Sequence, residues 1–258
     1  MKLKNKVAIV TGAGGGGVGR AVARRFAREG AAVIVNDVNL SGGRETLAMI
    51  RFEGGRGEFV RADMGVEEEA RAVIVAAESH FDGLDILVNN ASGGVNVGPF
   101  EAWQEAVQTD LLGPMYATLA AMEPMRRRGG GAIVNIASTS ALGHGAMHSP
   151  WPGYDVAKMG VMRLTTTLAR LREDRIRVNC LVPGWVASPG PKEYWESLTP
   201  QQRRERGVPE TLLQLGEIAD EILHLATDES LFGRLMVWRN GEKPRLIAEG
   251  DPGYARLE

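Results

Sequence analysis

The sequence predicts an α/β fold, a doubly wound parallel sheet of about seven strands with helices on both faces, and three observations predict it. Short β-branched runs alternate with longer stretches of helical period along the chain. Connections of that length join parallel strands by right-handed crossovers, which cover both faces of the sheet. The first strand runs into a glycine-rich turn, TGAGGGGVGR from Thr11 to Arg20, and then into a helix. No low-complexity linker, internal repeat or sharp shift in composition interrupts the 258 residues. They read as one domain, 1–258, long enough to bury a substantial core.

Each element follows from its local sequence. KVAIVT (6–11) is the first strand, and helical period begins at Val18 once the glycines have turned the chain. AVIVN (32–36) is the second strand and ends beside Asp37; a helix begins near Ser41, and GEFVRA (57–62) follows as the third strand. A helix from Glu67 leads to DILVN (85–89), and a long one from Phe100 to Met125 leads to GAIVNIA (131–137). Arg126 to Arg128 place cations at the negative end of that helix, and the glycines after them stop it. The next helix, Gly153 to Arg172, precedes RIRVNCLV (175–182). Residues 184–215, rich in proline and charge and carrying Trp185, Tyr194 and Trp195, are too long for an ordinary connection and read as a lid. A helix from Gly216 and the strand RLMVW (234–238) complete the sheet.

Composition narrows the function. Lysine and arginine number 30 against 32 acidic residues, a net charge of −2, which leaves no whole-protein electrostatic case for nucleic acid. A small polar or uncharged ligand fits better. The single cysteine, Cys180, has no partner for a disulfide or a thiolate site, and four scattered histidines make no metal cluster. The apolar part of the amino terminus is too short for a signal peptide, and no run approaches the roughly 18 apolar residues of a spanning helix. The expected setting is the cytoplasm, away from membranes.

A glycine-rich turn between a strand and a helix lets the backbone approach a pyrophosphate and aims helix N–H groups at it. A merely flexible turn is the bland alternative, but the turn lies in the first βα unit and the next strand ends at Asp37. A carboxylate there accepts hydrogen bonds from the adenosine ribose and repels a 2′-phosphate, which favours NAD over NADP. The bland role for Asp37 is turn formation or helix capping.

Taken in order, these motifs and those downstream resemble the short-chain dehydrogenase/reductase family, from Lys6 to about Gly241. The family's TGxxxGxG turn is similar to TGAGGGGVG with one additional residue, which carries cofactor contacts onto Thr11, Gly12, Gly17 and Gly19. Its adenine-contacting aspartate falls on Asp63. Its NNAG segment falls on Asn89, Asn90 and Ala91, with Ser92 where glycine is usual. Its serine, tyrosine and lysine fall on Ser138, Tyr154 and Lys158, and its nicotinamide-side segment on Asn179, Pro183, Gly184 and Ser188. The resemblance implies a Rossmann-like three-layer sandwich that binds NAD or NADP, with Tyr154 and Lys158 also contacting the cofactor. It further implies a homodimer or homotetramer paired through the two long helices, and it leaves 242–258 as a C-terminal extension that covers either a neighbouring subunit or the pocket.

The chemistry can be read from the residues themselves. Tyr154 and Lys158 are four apart in a helical segment and share one face. An ammonium beside a phenol favours the phenolate, and an oxidised nicotinamide adds further positive charge, so the Tyr154 pKa is expected to fall from its reference of about 10. Such a phenol shuttles the proton that accompanies hydride transfer between a secondary alcohol and a ketone, while Ser138 holds the substrate oxygen. The alternative for an isolated YxxxK pattern is an exposed helix pair.

Three departures from the family's pattern matter. Its fourth catalytic position, an asparagine, falls on Asp110, whose charge can alter the lysine and the proton relay. Ser138 and Tyr154 are separated by extra residues, which bring His144, His148 and Trp151 to the substrate side, either as lining or as solvated loop. The additional glycine in the first turn can re-aim the phosphate loop, and glycine's freedom makes such an insertion tolerable. Two other readings stay open: an NADP-preferring carbonyl reductase, in which Arg20 or Arg44 offsets Asp37, and a non-catalytic dinucleotide-binding sensor or scaffold. Arg203, Arg204 and Arg206 in the lid either meet an acidic substrate or form a solvated face.

Overall fold

The computed structural model describes residues 1–93, 103–143, 151–251, 254 and 256. All seven anticipated strands form: β1 (Val7–Val10), β2 (Ala32–Asp37), β3 (Arg56–Arg61), β4 (Ile86–Asn89), β5 (Gly131–Ile136), β6 (Ile176–Pro183) and β7 (Leu235–Trp238). They pair in parallel in the order β3-β2-β1-β4-β5-β6-β7. An eighth strand, β8 (Arg245–Leu246), pairs antiparallel with β7 and places Leu246 opposite Met236. The C-terminal extension thus finishes the edge of its own sheet, and Ile247 is buried among Ala137, Val161, Met162 and Val182.

Period-2 alternation explains the layers. Ala8 and Val10 face one side with Val22, Phe26 and Ile222, whereas Val7 and Ile9 face the other with Val73, Ile74 and Met125. The covering helices are α1 (Val18–Arg28), α2 (Leu40–Phe52), α3 (Glu67–Phe81), α4 (Trp103–Val107), α5 (Gly113–Arg127), α6 (Pro152–Thr167), α7 (Pro189–Ser197), α8 (Pro200–Glu205) and α9 (Leu215–Thr227). α1 packs on α9, α3 on α5, and α4 on α6. Where backbones come closest the sequence supplies glycine. A Cβ on Gly43 would lie 2.0 Å from the Phe59 ring, and one on Gly153 would lie 2.9 Å from Trp103 Cα.

Two long helices differ in detail from the expectation. Phe100 lies outside the described residues, and the described part of its helix is α4, a π-helical turn (Gln108–Leu112) and then α5. α5 does end at the arginines, with Gly129 and Gly130 at φ 81° and 132° stopping it. The helix beginning at Pro152 stays α-helical to Thr167 and tightens into 3-10 turns from Leu168 to Asp174. The lid region contains two short helices, α7 and α8, rather than irregular chain. Strand order reverses between β1 and β4, and at such a switch point a crevice opens beyond the carboxyl ends of the strands. The candidate residues gather on this edge.

Candidate active site

On one side of the crevice, Thr11 follows β1 and locks the glycine turn to the loop after β4. Its hydroxyl donates to Val88 O at 3.2 Å and accepts the N–H groups of Asn90 and Ala91, both at 3.0 Å. Asn90 Nδ2 donates back to Thr11 O and Gly12 O at 2.8 and 3.1 Å. Gly12 has φ 63°, and a Cβ on Gly19 would fall 2.3 Å from Gly12 O. Thr11, Gly12, Gly19, Asn90 and Ala91 are therefore one interlocked knot, and the knot explains why side chains larger than hydrogen are excluded from the two glycines. Gly17 is the N-cap of α1 and supplies no side-chain cap. The first-turn N–H groups of α1 remain suited to an anion.

The extra turn residue is absorbed sideways. Gly14 N donates to Asp37 Oδ2 at 2.6 Å, and a Cβ on Gly14 would sit 2.9 Å from both Asp37 Cγ and Gly43 N. A Cβ on Gly42 would meet Gly14 O at 2.2 Å, so α2 begins directly against the lengthened turn. Thr46 Oγ1 donates to Ala13 O at 2.7 Å. Arg20 braces the same junction, donating to Gly14 O at 2.9 Å, Thr46 Oγ1 at 2.9 Å and Glu45 Oε2 at 2.6 Å. Sequence reasoning passed over Gly42, Gly43 and Thr46, although a glycine pair at the start of the second helix was the available signal. An open cleft of about 540 Å³ lies here, bounded by Gly14 to Gly16, Arg20, Asn39 and Glu45.

Asp37 ends β2 half-buried, and its Oδ1 accepts Asn39 N at 2.8 Å. Asp63 lies two residues past β3, where Oδ1 accepts Gly65 N at 2.8 Å in a local turn. Across the crevice, Pro183 ends β6, and a Cβ on Gly184 would lie 2.2 Å from Asn240 Oδ1. Asn240, another residue the sequence reading missed, ties Trp185 N and O to its side chain at 2.8 Å each. Ser188 and Pro189, at the start of the segment after β6, lie across Gly17 and Gly16. Asn179 points into the core instead, donating to Leu231 O at 3.0 Å and accepting Arg234 N at 3.0 Å. Arg203 stacks on the Trp195 ring at 3.4 Å, and Arg206 donates to the Tyr194 hydroxyl at 3.0 Å, so both make contacts within residues 184–215.

The catalytic candidates meet where α6 crosses β5 and the π-helical turn. Pro152 starts α6 with its φ already set, placing Tyr154 in the first turn and Lys158 one turn further. Lys158 Nζ lies 5.3 Å from the Tyr154 ring centroid and donates to Ile136 O at 3.1 Å. Ser138 follows β5, and its hydroxyl lies against the phenol. The wider π turn brings Asp110 inward until it is fully buried. Its Oδ2 accepts Gly93 N at 3.0 Å, and its Oδ1 forms an ion pair with Lys158 Nζ at 2.9 Å, without hydrogen-bond alignment.

The protein's own groups set a balance at Tyr154 that differs from the expected one. Burial is the largest influence on the Tyr154 phenol and raises its pKa above the ordinary value. Lys158 pulls it down, Asp110 pushes it up again, and the result is an increase rather than the expected fall. Burial alone would lower Lys158, but Asp110 and Tyr154 outweigh it and hold the ammonium above its ordinary value. The expected fall counted the charges of the lysine and of an oxidised nicotinamide, without burial and without the carboxylate beside the lysine. His144 and His148 lie outside the described residues, whereas Trp151 caps the start of α6.

Comparison with known proteins places these features in context. A family model described as short chain dehydrogenase matches residues 6–198. An uncharacterized oxidoreductase of Thermotoga maritima is 33% identical over 247 residues, covering 90% of this chain and 94% of its own. Among solved structures, a putative short-chain dehydrogenase/reductase from Burkholderia xenovorans is similar with a TM-score of 0.81 at 30% identity, covering 93% of this chain and 97% of the other. Levodione reductase gives 0.80 at 25% identity, covering 92% and 96%.

Proposed function

Since this chain belongs to the short chain dehydrogenase family of oxidoreductases, we propose that it interconverts a secondary alcohol and a ketone with NAD, Tyr154 acting as general acid and base. The observation that carries the reading is the convergence of Ser138, Tyr154 and Lys158 beside the glycine turn at the carboxyl edge of the sheet. The turn fits a dinucleotide: a Cβ on Gly15 would meet nothing within 4 Å, and the α1 N-terminus has no side-chain cap. Thr11, Gly12, Gly17, Gly19 and Ala91 would hold the phosphates and the adjoining backbone, Asp37 the adenosine ribose, Asp63 the adenine side, and Asn90, Pro183, Gly184 and Ser188 the nicotinamide side. When bound, the nicotinamide ring supplies the acceptor or donor of hydride.

In the oxidative direction Tyr154 takes the proton of the alcohol; in the reductive direction it gives one to the ketone oxygen. Ser138 fixes that oxygen by a hydrogen bond. Lys158 orients the ribose and, through its charge, the proton affinity of Tyr154. Asp37 supports NAD over NADP, because a 2′-phosphate beside its carboxylate is repelled and Arg20 is already paired with Glu45. Pairing of α5 and α6 in a homodimer or homotetramer follows from the family resemblance, and Leu119 on α5 and Val156 on α6 are exposed on the helices it would use.

Turnover of a panel of secondary alcohols and ketones with NAD or NADH tests this reading. Tyr154→Phe is expected to lower kcat by at least about a hundredfold while NADH still binds. Undiminished turnover in that variant removes Tyr154 from the reaction.

A further inference from the structure

We propose that Asp110 is a positioning residue that acts through Lys158: its carboxylate cancels much of the ammonium's field at Tyr154, so the phenol keeps its proton and the site favours giving a proton to a ketone. The inference rests on the acid–base role of Tyr154 proposed above. It starts from geometry. Asp110 is 0% exposed and Lys158 3%, and their charged atoms are 2.9 Å apart. A lone buried cation 5.3 Å from the phenol ring would stabilise the phenolate strongly in a poorly screened interior. Paired with a carboxylate, the same cation presents a dipole, whose field falls off faster. The remaining carboxylate oxygen is held by Gly93 N, so Asp110 is fixed both to the loop after β4 and to the lysine.

Other groups around the pair do not replace it. Asp155, beside Tyr154 on α6, pushes the phenol in the same direction as Asp110 but more weakly, and the Ser138 hydroxyl opposes both. Cys180 on β6 is buried with its thiol pushed up to about 12, so it is neutral through the working range. Glu105 on α4 is exposed. Asp110 is the carboxylate ion-paired with the lysine, and it supplies the larger opposing push from a charge.

The experiment is a spectrophotometric titration of tyrosinate in the purified protein, taken as the difference between wild type and Tyr154→Phe. Asp110→Asn and the smaller Asp110→Ser are then titrated by the same subtraction, each against its own Tyr154→Phe double variant. Far-UV circular dichroism and NADH binding identify the variants that fold. Tyr154 is expected to ionise above about 10 in the wild type and at least about one pH unit lower in a folded neutral variant. Ionisation at or below the ordinary phenol value of about 10 in the wild type, or an unmoved titration in either folded variant, overturns the proposal, and the wild-type outcome decides even if neither variant folds. The two readings fail separately. Loss of turnover in Tyr154→Phe with an unmoved titration removes only the Asp110 inference, and normal turnover in Tyr154→Phe removes the acid–base role itself.

Discussion

Tyr154 sits half-buried between a cation and two carboxylates, and in the proposed mechanism its proton affinity decides which direction of reaction it serves best at a given pH. Because burial and Asp110 raise its pKa, the phenol carries its proton at neutral pH. Ketone reduction needs that form, so kcat/KM for reduction is expected to stay level through neutral pH and to fall only as pH rises past about 10. Alcohol oxidation needs the phenolate and rises over the same range; pH profiles in the two directions check both signs. Lys158 stays charged across that window because its own pKa is raised. A second prediction concerns Asp37. Asp37→Ala removes the charge that repels a 2′-phosphate, so the ratio of NADPH to NADH affinity is expected to rise at least about tenfold in calorimetric titration. The YxxxK spacing made the tyrosine and lysine legible in the sequence. The sign of the tyrosine shift was not, because it depends first on burial and then on a carboxylate that the packing of α6 against the π turn brings within 2.9 Å of the lysine.

The longer first turn shows how one element accommodates another. The extra glycine is taken up against the start of α2, where Gly42 and Gly43 leave room and Arg20 and Thr46 brace the joint. Gly42→Ala would place a Cβ 2.2 Å from a backbone oxygen of the turn, which cannot rotate aside as a side chain can. It is expected to destabilise the fold by about 1–3 kcal/mol in denaturant unfolding and to weaken NADH binding as the turn moves. Gly15→Ala, in open space, is the matched control and is expected to change stability little. The glycines of the turn were evident from the sequence, but their route was not, since glycine imposes no direction of its own. The π turn was hidden for a similar reason: Gln108 to Leu112 carries the same apolar spacing that an α-helix would. β8 escaped notice because two residues have no period, and its strand form comes from pairing with β7.

For the molecule as a whole, alternating strands and helices were enough to predict the doubly wound sheet, because crossover handedness and burial on both faces leave few other arrangements. The strand order places Thr11, Asn90, Ser138 and Gly184 on one rim. How subunits associate is set by surfaces rather than by that pattern. With Leu119 65% and Val156 53% exposed, sedimentation is expected to show a dimer or tetramer, and Leu119→Asp to shift it toward monomer. A monomeric wild type contradicts this.

Calorimetric titration of the purified protein with NADH and, separately, NADPH decides first whether the chain binds the nicotinamide dinucleotide on which the proposed mechanism depends. The expected result is saturable binding of both or of NADH alone, with NADH the tighter. Failure to bind either would mean that the lengthened turn has lost its ligand, and the oxidoreductase mechanism would fall with it.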